Sequence, residues 1–219
     1  MTDGYVVSIM GQRGTGKSTL MNQIIRLLPR VILFDYLDTR ADDARKMGFH
    51  HSSSLQEVKN MTESKYAEGF KIWYQPPPTP AKQQEALSRL SHILWDIQLK
   101  QRKATGDQAF LTFAIDELSI PFPVTKLPTD LDGFNLVLTG GRHYGFNVVG
   151  ASQRPAHVST EFRSAAEVKY FLQLSEPRDL DVVGQTIGKP EIDVVKNLQK
   201  LEWRRSRNGH LTSGKTLFL

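Results

Sequence analysis

No cysteine occurs in the 219 residues, which excludes disulfides and thiolate metal sites, leaves stability to packing, and fits a reducing compartment. Long apolar runs are missing too. The longest are strand-sized, and the first strand begins within a few residues of the amino terminus, so neither a signal peptide nor a spanning helix is expected. The expected location is the cytoplasm. No stretch repeats, none reads as a disordered tract, and the length suits a single α/β domain over residues 1–219.

Against these absences stands one dense motif. Gly11, Gln12, Arg13, Gly14, Thr15, Gly16, Lys17 and Ser18 spell G-x-x-x-x-G-K-S, with Thr19 following. Such a loop must leave a buried strand and open a helix if its amides are to point at phosphate. Both flanks comply: Tyr5 to Met10 is short, apolar and β-branched, and Ser18 to Leu28 carries Leu20, Ile24, Leu27 and Leu28 at helical spacing before Pro29. The glycines permit a wrapped backbone, Lys17 reaches the β and γ oxygens of a nucleotide, and the Ser18 hydroxyl can ligate Mg2+. Gly11 to Thr19 is the expected binding segment. An Asn-Lys-x-Asp motif for reading guanine is absent, so ATP is the expected nucleotide.

Further along, Arg30 to Phe34 reads as a buried strand ending at Asp35, close to the ligand end of an open α/β sheet. Tyr36 to Lys65 is polar and irregular, with a helix around Leu55 to Met61, and Phe70 to Tyr74 is a further strand. Pro76, Pro77, Pro78 and Pro80 lead into a long helix with Thr79 as N-cap and Pro80 at its first position. Leu87, Leu90, Leu94 and Ile97 form its apolar stripe, Lys100, Arg102 and Lys103 complement its dipole, and Gly106 ends it. Strands at Phe110 to Ile115, Asn147 to Ala151 and Val168 to Leu174 follow, and Asn208-Gly209 signals a carboxy-terminal hairpin. Alternation of strands and helices predicts a P-loop NTPase with a mostly parallel sheet flanked by helices.

Phe110 to Ile115 runs into Asp116-Glu117, a Walker B pattern: the aspartate holds the magnesium shell and the glutamate polarises the attacking water. Gln153, at the end of the next strand, can sense the γ-phosphate. Arg142, before that strand, is a candidate arginine finger acting on a neighbouring subunit or a cover for the sheet edge, with Arg154, Arg163 and Arg178 as rivals. His50 and His51 are adjacent and have no carboxylate or thiolate at metal-site spacing.

The segments GQRGTGKST, FLTFAIDEL, GGRHYGFNVVGASQRP and FLQLSEPRDLDVVGQTIG, in that order, resemble the FtsK-HerA superfamily of P-loop ATPases. The resemblance covers Val6 to about Gly188, Tyr36 to Lys103 only in layout, and within the superfamily the compact single-domain form is similar to the genome-packaging ATPases of tailless, often membrane-containing viruses. It implies the additional-strand, catalytic-glutamate form of the fold, with the arginine and sensor falling on Arg142 and Gln153. It further implies a ring, usually hexameric, that passes double-stranded DNA through its channel, and a capsid or vertex protein as docking partner in the host cytoplasm or at the virion vertex. None of the accessory domains of larger relatives is expected in residues 1–219. Lys126 in the Ser119 to Gly133 loop and the Arg204 to Arg207 segment are the candidate DNA contacts, and the net charge of +5 agrees weakly with a polyanionic partner. Two other readings stand: an assembly or secretion ATPase of the filamentous-phage type, and an ATP-dependent binding switch without motor activity.

Overall fold

The computed structural model describes residues 4–37, 40–106 and 109–217. Nine strands form one sheet: β1 (Val6–Met10), β2 (Arg30–Phe34), β3 (His50–Ser52), β4 (Phe70–Tyr74), β5 (Leu111–Ile115), β6 (Phe146–Ser152), β7 (Val168–Phe171), β8 (Glu202–Arg207) and β9 (His210–Lys215). Their order is β3-β4-β2-β5-β6-β1-β7-β8-β9. Strands β1 to β7 pair in parallel, whereas β7-β8 and β8-β9 are antiparallel. β6 lies between the strand that feeds the Gly-rich loop and the strand that ends in Asp116, which is the additional-strand arrangement.

Eight helices are described: α1 (Lys17–Ile25), α2 (Ala41–Lys46), α3 (Leu55–Ser64), α4 (Pro80–Thr105), α5 (Gly133–Gly140), α6 (Thr160–Ala165), α7 (Pro177–Ile187) and α8 (Glu191–Lys196). Because β1, β5 and β6 are buried along their whole length, both faces need cover. On one face Leu20, Met21 and Ile25 of α1 pack with Ala44 of α2. On the other, the expected stripe Leu87, Leu90, Leu94 and Ile97 packs with Phe134 and Val137 of α5 and Phe162 of α6. The hairpin turn has positive φ at both Asn208 and Gly209, the geometry that matches strand twist.

Several boundaries differ from expectation. α1 stops at Ile25 and Leu27 is 81 % exposed, since the chain must straighten before Pro29 to enter β2. The Tyr36 to Lys65 stretch holds α2 and β3 besides α3. Both are short and polar, and β3 exists only by pairing with the edge of β4, so neither carries a periodic apolar signal. Thr79 occupies the N-cap of α4 but its side chain makes no capping bond. β7 ends at Phe171, because Leu172 and Gln173 turn their backbone bonds to Met10 and Gln12 at the start of the Gly-rich loop.

Candidate active site

The loop between β1 and α1 is shaped by its glycines and fastened by its neighbours. Gly14 and Gly16 adopt φ of 83° and 107°, where a Cβ is strained, and a Cβ on Gly11 would lie 2.7 Å from Leu172 Cβ. The Thr15 hydroxyl donates to the Gln12 carbonyl at 2.8 Å, while the Gln12 amide donates to the Gln173 carbonyl at 2.8 Å. Lys17 Nζ donates to the carbonyls of Gly11 at 2.7 Å and Gln12 at 3.1 Å. Burial lowers its pKa, and the Glu117 and Asp116 carboxylates work against that shift.

Lys17, Ser18, Thr19, Asp116 and Gln153 line one cleft of about 550 Å³. Parallel strands deliver them there because their carboxyl ends lie on one edge of the sheet. Ser18 Oγ lies 3.4 Å from Asp116 Oδ1, and as hard oxygen donors these two side chains are the ones that would hold Mg2+. Glu117 is fixed beside the cleft by β6: Oε1 accepts from Ser152 Oγ at 2.7 Å and the Ser119 amide at 3.0 Å, and Oε2 accepts from the Gln153 amide at 2.8 Å. Its carboxylate is thereby joined to the backbone of Gln153.

Two groups invisible to motif reading complete this end. Arg40, 2 % exposed, places NH1 2.5 Å from Asp116 Oδ1 and also donates to Asn22 of α1. Asp35 delivers it, accepting from the amides of Leu37 and Arg40 at 3.1 Å each. Burial, and next the Asp116 charge, push the Asp35 carboxyl up to about 6. Nothing in the local pattern marks Arg40, since its partner is 76 residues away. Ser152 is the other, a fully buried hydroxyl whose only sequence signal is its place before Gln153.

Arg142 does not join this group. Its carbonyl accepts from the Gly4 amide at 3.0 Å and its guanidinium pairs with Glu167, so it lies at the amino end of β1 and β6. There it lines a second cleft, of about 460 Å³, with Arg205 and Arg207. Among the rivals, Arg154 is tied to the buried Asp179 at 3.0 Å, Arg163 lies near Ser8 and Met10, and Arg178 is exposed. Lys126 is exposed, whereas Arg204 is held by both Glu191 oxygens at 2.6 and 2.9 Å and turns away from Arg205 and Arg207. His50 bonds Glu57 and His51 bonds Gln75, each at 3.0 Å. Among the described residues no helix is long and apolar enough to cross a membrane.

No protein-family model matches the chain, and no curated protein matches it. Solved structures do match. The DNA-packaging ATPase B204 of Sulfolobus turreted icosahedral virus is 18 % identical with a TM-score of 0.72, covering 99 % of this chain and 100 % of that one. The genome-packaging NTPase B204 of Sulfolobus turreted icosahedral virus 2, in complex with AMPPCP, is 16 % identical with a TM-score of 0.69, covering 98 % of each chain. VirB4 of Thermoanaerobacter pseudethanolicus is 11 % identical with a TM-score of 0.64, covering 96 % of this chain and 89 % of that one. At these identities the likeness is one of fold: this chain has the fold of those P-loop ATPases.

Proposed function

We propose that the chain is a Mg2+-dependent ATPase that works as a ring, expected to be hexameric, and moves double-stranded DNA into a viral procapsid.

 The observation that carries this reading is the Glu117 carboxylate, held by three donors beside the cleft that Lys17, Ser18 and Asp116 line. Mg2+ held by Ser18 and Asp116 would supply charge neutralisation at the β and γ oxygens. Lys17 then binds those oxygens, Glu117 takes the proton of the attacking water, and Gln153 reports the γ-phosphate to Glu117 through the amide they share. Arg142 acts in trans: the five residues of β1 separate it from its own loop by about 15 Å, beyond an arginine's reach. DNA and a capsid or vertex protein as partners, and the host cytoplasm or virion vertex as location, rest on the named activity of the B204 proteins.

The test is ATP hydrolysis with and without double-stranded DNA, alongside oligomer size. Stimulation by DNA, a ring-sized particle, and loss of at least about a hundredfold in Glu117→Gln are expected. A slow rate indifferent to both DNA and Glu117→Gln would replace the motor with a nucleotide-dependent binding switch.

A further inference from the structure

The sheet order divides the cleft into two ends. On one side of β1 lie β6 and β5, which bring Gln153 and Asp116; on the other lie β7 and then β8, whose antiparallel direction returns its first residues to the same edge of the sheet. Lys200 and Leu201, just before β8, therefore line the cleft opposite the acids. Leu201 holds φ of 72°, an uncommon conformation for a side chain of its size. The surroundings impose it. Its amide donates to the Thr15 carbonyl and its carbonyl accepts from the Thr216 amide, both at 2.8 Å, and its Cδ2 lies 2.5 Å from where a Gly16 Cβ would stand. The turn is closed by Glu202, whose amide donates to the Gln199 carbonyl at 3.0 Å while its carboxylate accepts from the Gln199 amide at 2.8 Å. A rigid turn locked to the Gly-rich loop leaves Lys200 exposed at its tip.

We propose that the turn Gln199–Glu202 is the nucleoside end of the cleft, with the methylenes of Lys200 covering the base. The inference rests on the nucleotide reading above. With the γ-phosphate at Asp116 and Lys17, the phosphate chain passes Ser18 and Thr19 and carries the nucleoside toward Lys200. Among the described lining side chains, the carboxylate and the amide, Asp116 and Gln153, both stand at the γ end, while Arg13 and Lys200 are cations with no acceptor with which to read a base edge. Recognition at the other end is by cover rather than by edge, so purine and pyrimidine triphosphates bind alike.

Equilibrium binding with Mg2+ tests this, using non-hydrolysable analogues of ATP, GTP and UTP and inorganic tripolyphosphate. Lys200→Ala is expected to weaken all three nucleotides about fivefold and leave tripolyphosphate unchanged, while Lys200→Met, which keeps the methylenes, binds as the wild type does. Wild-type affinities for the three bases should agree within roughly fivefold. An equal loss for tripolyphosphate, no loss in Lys200→Ala, or a strong preference for one base would overturn the proposal. Lys17→Ala is the separate control: it should abolish binding of nucleotide and tripolyphosphate together, and a wild-type protein that binds neither removes the nucleotide reading itself.

Discussion

Arg40 and Asp116 form a pair with side chains 1 % and 10 % exposed, so either one alone would be a buried charge without its partner. Arg40→Met is expected to lower stability by about 3 kcal/mol in urea denaturation, and Arg40→Met with Asp116→Asn to lose clearly less than the two changes summed. Asp35 gives a pH signature. It binds its proton more tightly in the folded chain, with a pKa moved from 3.8 to about 6, so stability falls as pH rises through that window and levels off above it. The difference between wild type and Asp35→Asn, followed by denaturation from pH 4 to 7, should isolate this contribution, at most about 3 kcal/mol. Ser152 touches Glu117 and not the cleft. Ser152→Ala should therefore reduce kcat by roughly tenfold with little change in KM, since the carboxylate loses a donor that orients it.

At the scale of elements, packing on α4 and β6 holds the acid-bearing strands in place. Leu94 is fully buried on α4, and Leu94→Ala is expected to lower stability by about 2–5 kcal/mol in chemical denaturation. Gly150 in β6 is constrained by space: a Cβ there would lie 2.3 Å from Leu118 Cδ1 and 2.5 Å from Phe162 Cζ. Elements of this kind are legible in a sequence because burial imposes a pattern, as the stripe Leu87, Leu90, Leu94 and Ile97 does for α4. α2 and β3 lack that pattern, burying Ala44 and Ser52 alone, and their conformation is set by neighbours distant in sequence.

For the whole molecule, the opposed positions of Arg142 and the Gly-rich loop define the decisive experiment. If subunits complete one another's sites, mixing Arg142→Ala with Lys17→Ala protein under exchange should restore part of the ATPase activity that each lacks alone. No recovery would leave Arg142 as a partner of Glu167 at the sheet edge. DNA affinity should fall steeply with salt and show little sequence preference if the backbone is what the ring grips.

The sequence by itself determined the Gly-rich loop, the acid pair at a strand end and the parallel alternation, because each is local: a spacing of residues within one strand, turn or helix. The tertiary structure alone decided what meets them. Sheet order brings Arg40 and Ser152 onto Asp116 and Glu117, sends Arg142 to the opposite edge, and returns Lys200 to the loop through an antiparallel strand. Such juxtapositions depend on strand neighbours many residues apart, which no spacing along the chain encodes.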